Sequence, residues 1–294
     1  MELRDKNVLI TGASSGIGYA TARAFAAEGA RLVVAGRNLR ALDELADAIV
    51  ADGGIRPVIL PADLSSRGGA ELLAAQALDA LKTIDIVIND AAVEGVGSYV
   101  GAGDDDESRE LFEINYWSPF VLYRELIPAM RKRGSGALVS VSSLGAITPI
   151  SGTGHYASSK AALAIATEAL RSDLHGSGVH VMLVYPGFVD TPMLRAFKAR
   201  PDLSTRMRRG LSLMPVGTPE GLARAIVKAL HKDRRTLVYP RWYAVTPLIP
   251  AVSRWFTNLL FGNGTDSCVA AAGQRCRGPA LLRRRLVELV RSSG

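Results

Sequence analysis

The sequence predicts an α/β fold with one doubly wound parallel sheet, and three features indicate it. Apolar runs of about four to six residues alternate with stretches whose apolar residues recur at helical spacing. The runs are rich in Val, Ile and Leu and do not alternate with polar residues, as expected of strands buried on both faces. Neither a linker nor an internal repeat interrupts the pattern before residue 240. We therefore predict one domain over residues 1–240, with about seven strands.

Each element is predicted from its own run of residues. The strands, in chain order, are predicted at NVLIT, RLVVAG, PVILPAD, DIVIND, GALVSVSS, VHVMLVYPG and RTLVYP, the last being short enough for an edge strand. Amphipathic helices are predicted after the first three strands, at YATARAFAAEG, LRALDELADAIVADG and GGAELLAAQALDALKT. Repeated strand–helix units of this kind form a parallel sheet with helices on both faces.

The chain changes character after Pro240, and residues 241–294 are predicted to form a helical, basic extension. Thr246 and Pro247 make a good N-cap and first-turn pair for a helix over 246–261. Its apolar residues fall on one face: Leu248, Ile249, Val252, Trp255, Phe256, Leu259 and Leu260. That face could pack on the main domain, bury in a partner subunit or lie in a membrane interface.

The net charge of +7 comes from the C-terminal part of the chain, from residue 232 onward. Residues 232–294 hold 11 Lys and Arg against 3 Asp and Glu, whereas the rest of the chain holds 24 against 25. A basic tail favours an anionic partner such as a membrane surface over nucleic acid, although a merely solvated tail is an equal alternative. We predict peripheral membrane contact through 246–261 and the tail, and no nucleic acid partner.

The remaining composition points to a reducing compartment. Cys268 and Cys276 are the only cysteines, too few for a disulfide framework. The stretch MELRDKNVLITG lacks the apolar region of a signal peptide. No uninterrupted apolar run reaches the roughly 18–20 residues of a spanning helix. We therefore expect a cytoplasmic protein, and we predict no metal site.

A glycine-rich turn, TGASSGIG at residues 11–18, lies between the first predicted strand and helix. Rossmann-type sheets bind phosphate there, on the backbone N–H groups of a helix N-terminus. The same residues also fit G-x-S-x-G, a hydrolase nucleophile turn that would make Ser14 the nucleophile. Such a serine normally follows several strands and is followed by an acid and then a histidine, an arrangement that does not stand out here. The phosphate-binding interpretation is therefore favoured.

The ends of the second and third strands suggest which dinucleotide is bound. Gly36 occupies the position where an acidic residue would bind the ribose 2′-hydroxyl and repel a 2′-phosphate, and Arg37 follows it. This pair favours NADP(H) over NAD(H), the alternative being an ordinary surface arginine. Asp63 could accept a hydrogen bond from the adenine amino group, or it could be the N-cap of the next helix.

Residues 139–170 carry the residues suited to chemistry. Tyr156 and Lys160 are four residues apart on a predicted helix and share a face, and Ser143 ends the preceding strand. A free phenol, with a pKa of about 10, is a poor base at neutral pH. A nearby ammonium group and a positive nicotinamide ring stabilise the phenolate and let the phenol exchange protons near neutrality. The serine hydroxyl can bind the same substrate oxygen.

Together these motifs resemble the short-chain dehydrogenase/reductase family. The matching stretches are TGASSGIG (11–18), ADL (62–64), the Asn of EINYWSPF, SSLGA (142–146), YASSK (156–160) and YPGFVDTPM (185–193). They span the whole main domain in the family's order. The resemblance implies hydride transfer between a nicotinamide cofactor and a carbonyl or alcohol, in a homodimer or homotetramer packed through the fourth and fifth helices.

The resemblance also implies roles for individual residues. Tyr156 would be the acid/base, Lys160 would lower its pKa and hold the nicotinamide ribose, and Ser143 would polarise the substrate oxygen. Asn115 would fix a water that links Lys160 to solvent. The implied cofactor contacts are Gly12, Ser14, Ser15, Gly16, Ile17, Gly18, Arg37, Asp63, Leu64, Asn89, Ala91, Tyr156, Lys160, Pro186, Gly187, Val189 and Thr191. For Thr191, a plain helix N-cap is the alternative.

Some features depart from the family or leave the function open. The family's N-N-A-G turn reads Asn89-Asp90-Ala91-Ala92 here, which puts a charge where an amide is expected. The segment that usually covers substrate is apolar and suggests a lipophilic ketone or alcohol: Phe188, Met193, Leu194, Phe197, Met207 and Leu211. The competing interpretation is a non-catalytic NADP(H) sensor or scaffold, but such chains usually lose the Tyr, Lys or Ser.

Overall fold

The fold is described from a computed structural model, which covers residues 1–95, 105–201 and 203–261. Seven strands form its sheet: β1 (Asn7–Thr11), β2 (Arg31–Gly36), β3 (Val58–Pro61), β4 (Ile86–Asn89), β5 (Gly136–Val141), β6 (Val179–Pro186) and β7 (Thr236–Tyr239). The sheet order is β3-β2-β1-β4-β5-β6-β7 and every pairing is parallel. This confirms the predicted doubly wound α/β fold, and β7 is an edge strand as expected.

Ten α-helices accompany the sheet in the described part of the chain. The first five are α1 (Gly16–Ala27), α2 (Leu39–Ala51), α3 (Gly69–Leu81), α4 (Asp106–Phe112) and α5 (Ser118–Arg133). The others are α6 (Gly154–Asp173), α7 (Pro192–Lys198), α8 (Thr205–Leu213), α9 (Pro219–His231) and α10 (Pro250–Phe261). A π-helix, Glu113–Trp117, joins α4 to α5, and short 3₁₀ turns lie at Leu144–Ala146 and Arg241–Tyr243.

The core has two layers because successive strand residues point to opposite faces of the sheet. On β1, Val8 and Ile10 pack into the cluster that holds Phe25 of α1 and Ile226 of α9. Leu9, between them, packs into the opposite cluster with residues of α3 and α5. With helices on both faces, the strands carry apolar residues at consecutive positions, which explains the unbroken apolar runs in the sequence.

β2 and β3 lie on one side of β1, whereas β4 to β7 lie on the other. This change of direction in the strand order determines where a ligand can bind. β2 and β4 flank β1, so their connections leave the sheet in opposite directions. A crevice therefore opens between those connections at the carboxyl ends of the strands, where doubly wound sheets bind ligands.

The last helix starts later than the sequence predicts. It begins at Pro250, whereas Thr246 and Pro247 lie in turns in which the N–H groups of Leu248 and Ile249 both donate to the Val245 carbonyl. Pro250 lacks an N–H group and suits a first helical turn, so it is the better start. The sequence Gly262-Asn263-Gly264 is typical of a helix end, and it lies outside the described residues.

Candidate active site

A cleft of about 1060 Å³ opens at the carboxyl ends of the strands. The glycine turn after β1 and the connections after β2 and β3 form one half of its wall. The connections after β5 and β6, together with segment 242–261, form much of the other. One half of the cleft can therefore hold a dinucleotide while the other receives a substrate.

The backbone of the glycine turn can come close to a bound cofactor, because the turn carries no side chains at its glycines and has no room for them. Gly12 has a φ of +71°, and a Cβ there would lie 2.8 Å from the Ala91 backbone. Gly18 packs against the Gly12 carbonyl, so a Cβ there would collide with it. Ser15 is the N-cap of α1 and its side chain makes no capping hydrogen bond. The first N–H groups of α1 can therefore bind a pyrophosphate.

The loops after β2 and β3 form the end of the cleft where a 2′-phosphate would lie. A Cβ at Gly36 would be 3.5 Å from the Ser14 hydroxyl, so the wall is small and neutral there. Arg37 lines the cleft with a side chain that is 63% exposed and 4.0 Å from the Glu110 carboxylate. The Arg37 guanidinium is thus exposed to solvent and can also reach a ligand bound in the cleft.

Asp63 and Leu64 also line this end of the cleft. One Asp63 oxygen accepts hydrogen bonds from the Ser65 hydroxyl at 2.7 Å and the Ser65 N–H at 3.0 Å, and these lower the pKa of the carboxyl. The alternative that Asp63 caps the next helix is wrong, because Gly68 is the N-cap of α3. Contact with adenine stays a prediction.

Three polar residues converge at the middle of the cleft, where β5 ends and α6 begins. Ser143 is the N-cap of the 3₁₀ turn that follows β5, and it shares a hydrogen bond with Tyr156 from the first turns of α6. The Lys160 ammonium donates to the Val141 carbonyl at 2.9 Å, and the Ser142 hydroxyl donates to the Lys160 carbonyl at 2.8 Å. These bonds fasten α6 to the end of β5 and fix the residues that share its face.

Burial controls the protonation of Tyr156. Loss of water around the phenol raises its pKa to about 12, the hydrogen bond with Ser143 opposes that shift, and the charges of Glu94 and Asp90 add to it. In this form of the protein the phenol is protonated at neutral pH. It is therefore ready to donate a proton to an oxygen placed beside it.

Asp90 and Lys160 both line the cleft and interact as groups of opposite charge. Burial raises the pKa of Asp90 and lowers that of Lys160, while each charge favours the charged form of the other. Asp90 lies against Gly18, where a Cβ would be 2.9 Å from Asp90 Oδ2, and the Thr11 hydroxyl accepts from the Asp90 N–H at 3.2 Å. The residue that departs from the family's N-N-A-G turn thus connects the end of β4 to the start of α1.

Asn115 lies in the π-helix and is completely buried. Its amide oxygen accepts from the Val93 N–H at 2.9 Å, and its amide nitrogen donates to the Val93 carbonyl and the Ser159 hydroxyl at 3.0 and 3.1 Å. The side chain therefore fixes the segment after β4 and touches the residue before Lys160. π-Helical turns occur often at functional sites. The part expected of Asn115 in holding a water stays a prediction.

The loop after β6 brings four of the predicted contacts to the cleft: Pro186, Gly187, Val189 and Thr191. Thr191 accepts a hydrogen bond from the Leu194 N–H at 3.2 Å and is the N-cap of α7. A Cβ at Gly16 would lie 3.2 Å from its methyl group, so this loop touches the glycine turn. Thr191 is thus a capping residue that also forms part of the wall.

The side chain of Asn89 lies away from the cleft. It is 3% exposed and donates to the Pro119 carbonyl at 3.3 Å. It therefore holds the end of β4 against α5, whereas the neighbouring Ala91 does line the cleft. Gly18 likewise sits behind the turn, with Ser14, Ser15, Gly16 and Ile17 in front of it.

The substrate half of the cleft is mainly apolar. From the expected covering segment, Phe188, Met193, Leu194 and Phe197 line it. Met207 and Leu211 instead pack behind it with Phe261. The chain after residue 240 adds Trp242, Tyr243, Ile249, Val252, Trp255 and Phe256 to the lining.

The described segment after residue 240 packs against the main domain at its Phe261 end. Phe261 is buried, and a Cβ at Gly210 of α8 would lie 2.8 Å from its ring. The outer residues Trp242, Leu248 and Trp255 are 65–78% exposed. In the described part of the chain no helix is both long enough and apolar enough to cross a membrane.

Sequence reasoning missed Glu94 as a member of this site. It lies five residues after β4, is partly buried and lines the cleft near Tyr156. Its position past the carboxyl end of a central strand was the available signal. The contributions of Trp242 and Tyr243 were also missed, because a sequence pattern does not show where a terminal segment folds back.

Comparison with known proteins is consistent with this site. The family model described as short chain dehydrogenase matches residues 6–202. The chain is 33% identical over 255 residues to the ketoacyl reductase HetN of a Nostoc strain, covering 86% of this chain and 85% of that protein. It is 37% identical over 236 residues to a 1-deoxy-11-beta-hydroxypentalenate dehydrogenase of Streptomyces exfoliatus, covering 80% and 82%.

Solved structures agree in fold. A short-chain dehydrogenase from Sphingobium yanoikuyae in complex with NADPH has a TM-score of 0.72 at 26% identity, covering 85% of this chain and 94% of that one. A short-chain dehydrogenase/reductase from Burkholderia phymatum in complex with NAD has a TM-score of 0.74 at 25% identity, covering 90% and 98%. These neighbours bind nicotinamide cofactors of both kinds.

The matched residues cover most of the chain, and the cleft is lined by the glycine-rich turn, Ser143, Tyr156 and Lys160. The chain therefore belongs to the short-chain dehydrogenase/reductase family, as an oxidoreductase that interconverts a carbonyl and an alcohol with a nicotinamide cofactor.

Proposed function

We propose that the protein transfers hydride between NADPH and the carbonyl carbon of a lipophilic ketone, or in the reverse direction with an alcohol. The observation that carries the proposal is the convergence of Ser143, Tyr156 and Lys160 at the boundary between the two halves of one cleft. When bound, the cofactor supplies or accepts the hydride. The residues of this chain bind the reactants, orient them and move the proton.

The proton step depends on Tyr156 and its neighbours. In the reducing direction its phenol donates a proton to the substrate oxygen, to which the Ser143 hydroxyl also donates a hydrogen bond. The buried Lys160 ammonium, held by the Val141 carbonyl, stabilises the phenolate that remains. Its other N–H groups suit the hydroxyls of the nicotinamide ribose. Asn115 keeps the wall beside Lys160 in place through Val93 and Ser159.

The cofactor is proposed to be NADP(H), held by the cofactor half of the cleft. Gly12, Gly16 and the start of α1 would receive the pyrophosphate, with Gly18 supporting the turn from behind. Arg37 would pair with the 2′-phosphate, since a guanidinium and a phosphate make strong charge-assisted hydrogen bonds. The small, neutral Gly36 beside it removes the carboxylate that would repel that phosphate.

Steady-state kinetics with the two cofactors test this preference. Arg37→Ala is expected to raise the Michaelis constant for NADPH by about tenfold or more, because a charge-assisted hydrogen bond is lost, and to change that for NADH by less than about twofold. Arg40→Ala is the matched control, since Arg40 is an exposed α2 arginine paired with Glu44 outside the cleft. Equal effects of Arg37→Ala on both cofactors would refute the assignment.

The apolar substrate half supports a lipophilic substrate. Its lining from Phe188, Phe197, Trp242 and Val252 offers few polar partners away from the reacting oxygen. NADPH oxidation should be followed across ketones of one shape and increasing apolar size. We expect kcat/KM to rise with buried apolar area; a preference for small polar ketones would contradict the proposal.

We also propose that the protein acts as a dimer or tetramer and touches membranes peripherally. Trp117, at the end of the π-helix, and Ile165, on α6, are 54% and 67% exposed, as expected of a surface covered by another subunit. The exposed apolar residues of 242–259 lie on one side of the cleft, in a segment that also carries Arg241 and Arg254, which suits an anionic bilayer surface. A substrate dissolved in the bilayer would then enter the cleft directly.

A further inference from the structure

Glu94 is a carboxyl group near Tyr156 in a cleft whose substrate half is mainly apolar. It lines the cleft together with Ser143, Tyr156 and Phe188. The other carboxyl groups in the described lining, Asp63 and Asp90, lie beside the cofactor turn and its adenine end. Glu94 is therefore placed to meet the substrate rather than the cofactor.

The backbone is anchored on both sides of Glu94. The residue before it, Val93, is held from both its N–H and its carbonyl by the buried Asn115 amide. The residue after it, Gly95, packs so closely on α4 that a Cβ there would lie 2.7 Å from Leu111. A side chain between two such anchors can orient a ligand with little loss of freedom on binding.

Burial makes it energetically unfavourable for the Glu94 carboxyl to lack a hydrogen-bond donor. Burial raises its pKa to about 7, with the charge of Arg200 opposing the shift, and its charge raises the pKa of Tyr156 in turn. A partly buried acid of this kind gains free energy when a ligand supplies a hydrogen-bond donor. A purely hydrocarbon ligand would leave it desolvated without a new partner.

We propose that Glu94 selects substrates that carry a second hydrogen-bond donor, a hydroxyl or an ammonium group, on an otherwise lipophilic skeleton. This inference rests on the proposed function, since it places the reacting carbonyl beside Ser143 and Tyr156. Sites built to bind a donor reject analogues that lack it much more strongly than apolar pockets distinguish hydrocarbons. Glu94 is thus a specificity-determining residue, separate from the residues that move the proton.

Equilibrium binding tests the inference independently of turnover. Protein carrying Tyr156→Phe, saturated with NADPH, is titrated calorimetrically with 1-decalone, with decalones hydroxylated at each position of the distal ring, and with the matching aminodecalones. At least one derivative is expected to bind about tenfold or more tightly than the parent. The added Glu94→Leu should abolish that preference, whereas Glu94→Gln, which keeps an acceptor oxygen, should keep it for a hydroxyl and lose it for an ammonium group.

The outcomes separate the two claims. Equal affinity for parent and derivatives, an absence of binding by all of them, or a preference that survives Glu94→Leu would overturn the role of Glu94. Reduction of the parent decalone by the unsubstituted protein is measured alongside and tests the proposed function. A protein that binds hydroxydecalones through Glu94 but reduces no ketone would retain the inference about recognition and refute the reaction.

Discussion

At the scale of single residues, burial decides which proton states are present. Tyr156 is partly buried in the cleft, and this desolvation raises its pKa to about 12 despite the hydrogen bond with Ser143. Burial also lowers the pKa of Lys160, and the charge of Asp90 counters that shift. The site is therefore set as a proton donor at neutral pH. It needs the positive nicotinamide ring of the oxidised cofactor to act as a base.

This predicts opposite pH profiles for the two directions. Alcohol oxidation needs the phenolate, whose fraction rises about tenfold per pH unit below the pKa, so kcat/KM should increase between about pH 7 and 10. Ketone reduction needs the phenol, which stays protonated below that pKa, so its kcat/KM should remain nearly flat over the same range. Both are measured with saturating cofactor. An oxidation rate that falls with rising pH would contradict the assignment of Tyr156.

At the scale of elements, the start of α1 depends on contacts that allow no side chain. Gly18 has an ordinary helical position, yet a Cβ there would strike the Gly12 carbonyl and lie 2.9 Å from an Asp90 oxygen. The constraint is therefore one of space, and it links the glycine turn to the end of β4. Displacing that turn would move the N–H groups that are proposed to bind the pyrophosphate.

Gly18→Ala is accordingly expected to weaken NADPH binding by about tenfold or more and to lower the free energy of unfolding by about 1–3 kcal/mol. Gly53→Ala is the control: Gly53 has a φ of +84° with open space around it, so alanine should cost about 1–2 kcal/mol of stability through backbone strain alone. Its NADPH affinity should stay normal. Fluorescence titration and thermal unfolding separate the two effects, and unchanged NADPH affinity in Gly18→Ala would contradict this account of the turn.

Much of the fold and of the candidate site could be predicted from local sequence. The apolar strand runs and the spacing of Tyr156 and Lys160 depend only on the local geometry of strands and helices. The bounds of β1 and β2 agree with the predicted runs. The start of α10 and the π-helix around Asn115 were not predicted, since turns and register changes depend on packing between distant segments. The place of Glu94 in the cleft is equally non-local, because it depends on Asn115 fixing Val93.

At the scale of the whole molecule, the cleft is completed by a segment that carries an exposed apolar surface. Segment 242–261 lines the substrate half from one side and shows Trp242, Leu248 and Trp255 to the outside. Exposed apolar surface of this kind is typical of interaction sites, which supports the proposed contact. The excess of basic residues in 232–294 makes an anionic bilayer the proposed partner.

Liposome flotation tests that contact. The full chain is expected to float with phosphatidylserine-containing vesicles, and less so at high salt, because surface charge attraction is screened. Replacing Trp242, Leu248 and Trp255 by serine should reduce flotation several-fold, since apolar area at the interface is lost. Leu72→Ser, at an exposed α3 position, is the control. Full-length protein that stays entirely in the unbound fraction would rule out the membrane proposal.

The central claim is that Tyr156 carries the proton in a site that binds the cofactor independently of it. Turnover and NADPH affinity should therefore be measured together in Tyr156→Phe, which removes one hydroxyl and keeps the ring. We predict a loss of turnover of roughly a hundredfold to ten-thousandfold, as for a lost general acid, with an NADPH dissociation constant within about threefold of the unsubstituted value. Turnover that persists near the original rate, with the cofactor still bound, would contradict the mechanism.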